Sequence, residues 1–146
     1  MNVTRKSISL ALYNALVASF EWKKTERLPD FPSRIEPADQ PYMSLIKMEE
    51  GDEEVQRGLT KYVLNYSVFA YMRSDSVLNA AAVSDLLDDI EDAIGAPFNI
   101  DTGDRTFGNL VEDSWLAGTT RATDARDQQQ LMVLAHIKLV TGDGGI

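Results

Sequence analysis

His136 is the sole histidine in 146 residues, and the chain has no cysteine. Thiol catalysis, disulfides and cysteine metal sites are therefore excluded, and so is a two-histidine metal site within one subunit. His136 falls mid-strand between apolar neighbours, which predicts a structural imidazole rather than a catalytic base. Carboxylates are the remaining reactive groups. Asp101-Thr102-Gly103 repeats the triplet that carries the catalytic aspartate of aspartic proteases, but that chemistry needs two facing aspartates and a small residue after the glycine. Asp104 stands there instead, and the stretch reads as a turn. Asp85, Asp89 and Asp92 have the spacing that shares one helical face. Together they can hold an oxygen-loving Mg²⁺ or Ca²⁺, yet like charges on a surface helix are ordinarily just solvated. The run Glu49-Glu50-Gly51-Asp52-Glu53-Glu54 lacks the alternating acids and closing Glu of a calcium loop and predicts a solvated turn. No glycine loop for phosphate and no nucleophile–base pair emerges. The expectation is a protein without catalytic residues, metal or cofactor.

These groups need a scaffold, and Tyr62 to Gly95 organises it. Tyr62, Leu64, Tyr66, Val68, Ala70 and Met72 alternate on one apolar strand face, with a mixed face opposite. Such a strand belongs in the middle of a sheet that packs on helices. Ser76 or Asp75 can cap a following helix, whose stripe is Val83, Leu86, Leu87, Ile90 and Ile94. Gly95 and Pro97 end it. Upstream, Ile8, Leu12, Leu16 and Phe20 predict an amphipathic helix from about Thr4 to Trp22. Four prolines between Lys23 and Pro41 predict a long connection or arm, with Leu28, Phe31 and Ile35 docking on something apolar.

Tyr42–Met48 reads as a short strand, joined through a long acidic hairpin loop to the central one. Leu110–Thr120 and Leu131–Val140 read as two more strands around a polar hairpin tip, Thr119–Gln130, whose flanks can extend both. The last strand is apolar on both faces and so central or covered twice. Residues 142–146 read as a flexible tail. The resulting class is α+β: a mixed or antiparallel sheet of about four strands with two helices packed on it, in one domain over residues 1–146.

The net charge of −9 argues against a protein that grips nucleic acid, because phosphate binding requires concentrated Lys and Arg. Lys23, Lys24 and Arg27 form the one modest basic cluster. No eighteen-residue apolar run is present, so no membrane partner is expected. The N-terminal apolar stretch is interrupted by polar residues and lacks a small-residue cleavage site, which predicts no signal peptide.

Several patterns together are similar to one known family. A helix ending near Phe20 precedes a proline-broken segment and then Gln40-Pro41-Tyr42-Met43-Ser44-Leu45. The central strand Tyr62–Arg73 follows, then a serine- or aspartate-led helix ending in Ile90-Glu91-Asp92-Ala93-Ile94. Phe107-Gly108-Asn109-Leu110-Val111 precedes a strand, Leu116-Ala117-Gly118-Thr119 opens a hairpin, and Gln128–Ala135 begins the last strand. In these features, over nearly its whole length, the chain resembles the tail terminator proteins of long-tailed bacteriophages. It departs from them at Ala117, where the family often has an acid, and at Ala125, Arg126 and Asp127, where it often has glycines.

The resemblance implies a virion protein made in the host cytoplasm. Such proteins form a ring, typically a homohexamer, that caps the last tail-tube ring, stops polymerisation and offers its other face to the head connector or stopper protein. DNA would pass through without specific binding. Under that reading the subunit interface falls to Leu28, Phe31 and Ile35 of the arm and Asp85, Asp89 and Asp92 of the helix. The loops facing tube or connector carry Glu50, Asp52 and Glu53, and Asp124, Arg126 and Asp127. Another head–tail connector component of similar size and acidity is the alternative.

Overall fold

The computed structural model describes residues 3–28, 39–73, 80–124 and 127–141. The chain runs α1 (Arg5–Ala18), β1 (Lys24–Leu28), β2 (Tyr42–Gln56), β3 (Leu59–Arg73), α2 (Ala80–Gly95), a 3-10 turn (Ala96–Phe98), β4 (Asp113–Asp124) and β5 (Asp127–Val140). It is an α+β fold whose five strands are ordered β1-β2-β3-β5-β4. β1 runs parallel to β2, and every other neighbouring pair is antiparallel. The expected central strand, β3, occupies the middle of the sheet.

Period-two alternation decides which face of the sheet carries the core. Leu64, Tyr66, Val68, Ala70 and Met72 of β3 join Val133, Ala135, Ile137 and Leu139 of β5 and Met43 and Leu45 of β2 on one face. Ile8, Leu12 and Leu16 of α1 and Ile90 and Ile94 of α2 close over them. Full burial of a Leu or Ile side chain stabilises by about 1.5–3 kcal/mol, so this layer dominates the favourable side of folding. The opposite face is mixed, with Ser44, Ser67 and Val63 buried and His136 exposed.

α1 begins where the sequence places it. Thr4 accepts a bond from the Ser7 amide, and Ser7 Oγ in turn accepts one from the Thr4 amide, a reciprocal cap. It ends at Ala18, short of the expected Trp22. The Leu16 carbonyl is taken by the Ser19 amide, the Ser19 hydroxyl and the Trp22 indole N–H, so the helix ladder stops there. Trp22 then folds back against Phe20, with ring centroids 4.8 Å apart.

Three expectations need correcting. The sheet has a fifth strand: Lys24–Leu28, read as part of an irregular arm, is β1, set against Tyr42–Ile46 of β2. The proline density misled because the prolines begin only at Pro29. The acidic run is no loop either. β2 continues through it to Gln56 and turns only at Arg57-Gly58, where Gly58 takes the left-handed φ of 79°. β4 starts at Asp113 rather than Leu110, since the amides of Leu110 and Val111 bond back to the Thr106 carbonyl and close a turn. Gly103 is more than a turn residue: a side chain there would collide with the Pro97 carbonyl. Helix caps at Asp75 or Ser76, the arm residues Phe31 and Ile35, Arg126 and the tail 142–146 lie outside the described residues.

Candidate functional site

The antiparallel order sends two hairpins in opposite directions. Arg73 at the end of β3 pairs with Gln130 near the start of β5, while Val63 near the start of β3 pairs with Val140 at the end of β5. The β2–β3 turn therefore lies at one end of the sheet and the β4–β5 turn at the other. β2 and β3 also remain paired beyond the reach of β5, from Asp52↔Tyr62 out to Gln56↔Leu59, so this hairpin projects as an arm.

Charge pairing lets an acidic stretch stay extended in that arm. A register shift between Lys47 and Glu50 turns Glu50 to the helix side. There it accepts bonds from Arg5 Nε at 2.8 Å and the Tyr62 hydroxyl at 3.1 Å, and it pairs with Lys47 at 3.0 Å. Partial burial pushes the Glu50 carboxyl up, but the bonds from Lys47, Arg5 and Tyr62 outweigh it and hold the group below its ordinary 4.5. Glu53, on the other face, accepts from Lys138 of β5 at 2.5 Å and Asn65 of β3 at 2.7 Å, which likewise lower its pKa. Glu54 accepts from the Gly58 amide and closes the turn. Of the acids expected on a free loop, Glu49, Asp52 and Glu54 stand exposed, whereas Glu50 and Glu53 are half-buried partners of cations.

At the opposite lateral end, α2 is tied to β4. Arg121 donates Nε to Glu91 at 2.6 Å and Nη2 to Glu91 at 2.8 Å and Asp88 at 2.5 Å. Asp85, Asp89 and Asp92 point away, exposed, as the helical spacing predicts. Among the described residues, no group of three or more acidic or histidine side chains converges on a cation-sized site. Asp124 and Asp127 are the last residue of β4 and the first of β5 and flank the second hairpin tip. Leu28 ends β1.

One polar pairing escaped the sequence. His136 Nδ1 lies 3.1 Å from Ser67 Oγ, on directly opposed residues of β5 and β3. It borders a groove of about 560 Å³ lined by Met48, Gly51, Asn65, Ser67, His136 and Lys138. Ser67 is only 1% exposed, and the neighbouring Glu53 carboxylate is engaged by Lys138 and Asn65. Polar residues at matched positions of β3 and β5 were the available signal, and it needed the register. Asp101 is an exposed turn residue whose amide donates to Asn99 Oδ1 at 2.8 Å.

No protein-family model matches the chain, and no curated protein is significantly similar to it. Among solved structures, a chain in the "Virion of native gene transfer agent (GTA) particle" is similar at 15% identity, covering 92% of this chain and 95% of that one, with a TM-score of 0.48.

Proposed function

We propose that this chain is a virion structural protein that forms a ring on the last tail-tube ring, ends tube growth and presents its other face to the head connector. The observation that carries this reading is the pair of hairpins at opposite ends of one sheet. A terminator must meet two different partners on two opposite faces, and a subunit with one polar turn at each end can do so. The sequence resemblance to tail terminators supports the same role. In this reading the protein's chemistry is shape and charge complementarity, and it carries no catalytic step.

Charge supports the reading too. A ring of chains each carrying −9 is acidic overall, which disfavours phosphate contacts, and every such contact avoided removes salt-dependent drag on passing DNA. The test is a virus lacking this gene, complemented with the wild-type chain and examined by electron microscopy. The expected phenotype of the loss is headless tails of irregular, excessive length. Tails of normal length attached to filled heads would overturn the terminator role.

A further inference from the structure

We propose that neighbouring copies of this chain join by strand addition, the outer edge of β4 on one copy pairing antiparallel with the free outer edge of β2, residues 47–56, on the next. This rests on the ring reading above and says how such a ring closes.

Among the described residues, two backbone edges are open. β1 covers β2 only along Tyr42–Ile46; beyond it, among the described residues, β2 pairs with β3 alone. β4 pairs with β5 on one side and, among the described residues, with nothing on the other. Ala117, Gly118, Thr119, Thr120 and Arg121 are exposed in succession, so neither face of this segment is covered. Isolated proteins usually guard such edges with proline, inward charges or a covering loop, because an unpaired edge is a template for another strand. β4 contains no proline or lysine and carries no charge between Ser114 and Thr120.

Topology then sets the sense of pairing. β2, β3, β5 and β4 alternate in direction, so β4 runs opposite to β2. Where the sheet of one copy continues into that of the next, the β4–β2 junction is antiparallel, the more favourable ladder. The two edges differ, so the contact is heterologous, the type that closes rings. Self-pairing of β2 would set Glu49, Asp52 and Glu54 against like charges, which the uncharged stretch of β4 avoids. The helix layer agrees. α2, with exposed Asp85, Asp89 and Asp92, is tied to β4 at one end. α1 lies over β1 at the other, where Tyr13 bonds Thr25 and where Lys6, Lys23, Lys24 and Arg27 are exposed. The two lateral ends of the helix layer thus carry exposed charges of opposite sign.

The absence of cysteine makes cross-linking clean. Thr120→Cys is combined in turn with cysteine at Glu49, Asp52 and Glu54 in the full chain. Each is oxidised with and without tube protein, and the unmodified chain is weighed by native mass spectrometry in parallel. The expected result is a ladder of cross-linked copies from at least one pair and none from any single variant. Dimers from Thr120→Cys alone would mean a symmetric β4 contact, and cross-links to tube protein only would give the edge to that partner; either overturns strand addition. A ring by mass with no cross-link from any pair also overturns it while the ring reading stands. No ring with or without tube protein removes both.

Discussion

Glu53 of β2 and Lys138 of β5 are 85 residues apart and sit on strands that do not touch, yet their side chains meet at 2.5 Å across β3. Asn65 of β3 bonds the second carboxylate oxygen, so three strands are fastened on the face away from the helices. The pair is about one-third exposed, which limits its strength. A double-mutant cycle of Glu53→Gln and Lys138→Met should give a coupling no larger than about 1 kcal/mol. The folded-state pKa of Glu53 is depressed, so its contribution is present above the ordinary 4.5 and is lost as pH falls through the folded value. Urea unfolding at neutral pH and again below 4.5 should show wild type losing more stability than Glu53→Gln. Equal losses would mean the pair does not persist in solution.

In the core, α2 turns Ile90 and Ile94 fully inward while Leu86 and Leu87 are half-buried. Ile90→Ala should cost about 2–5 kcal/mol, as buried truncations do. Leu87→Ala should cost distinctly less, because part of that side chain already meets solvent. Equilibrium unfolding of both variants checks the order, and a larger loss at Leu87 would mean the helix is rotated.

How far the sequence carried this fold can be argued from those same elements. β3 and α2 were legible because one period runs unbroken through each, and the exposure of Asp85, Asp89 and Asp92 follows from helical spacing alone. The first half of β2, Tyr42–Met48, was legible too; its continuation was not, because six consecutive polar or glycine residues hide a strand whose charges are met by Arg5, Tyr62 and Lys138. β1 was hidden by brevity: five residues beside a proline-rich stretch hold no measurable period. The Ser67–His136 pair required a register that no local pattern encodes.

The loop that carries Asp101-Thr102-Gly103 gives a prediction that separates packing from chemistry. Gly103 sits against the Pro97 carbonyl, so Gly103→Ala must push backbone apart and should destabilise by about 1–3 kcal/mol. Asp101 is exposed, and Asp101→Asn should leave both thermal stability and tail assembly unchanged. Loss of assembly in a folded Asp101→Asn variant would show that the triplet has a working role.

If α2 meets the basic end of a neighbouring copy, its free acids set the orientation of that contact more than its strength. Asp89→Lys with Asp92→Lys should leave the monomer folded, since among the described residues neither pairs in the way Asp88 and Glu91 pair with Arg121. Ring formation, followed by native mass spectrometry over a salt series, should weaken most at low ionic strength, where surface charges act farthest. An unchanged ring population at every salt concentration would remove α2 from the interface.

The two hairpin tips make the last prediction, because they tie the sheet's topology to the two-faced role proposed above. Arg57 lies in the turn at one end of the sheet; Asp124 and Asp127 flank the turn at the other. Both tips lie just outside the stretches proposed to pair, Arg57 directly after β2 residues 47–56 and Asp124 past the exposed run of β4 that ends at Arg121, so Arg57→Glu and the pair Asp124→Lys with Asp127→Lys should both still assemble rings. Their defects in a complemented virus should differ in kind. The variant whose tip faces the tube should fail to stop polymerisation and give overlong tails. The variant whose tip faces the connector should give tails of correct length that carry no head. Electron micrographs of the two lysates distinguish these outcomes directly. The same defect from both tips would mean that the two ends of the sheet do not serve separate partners, and the argument from opposed hairpins would fall.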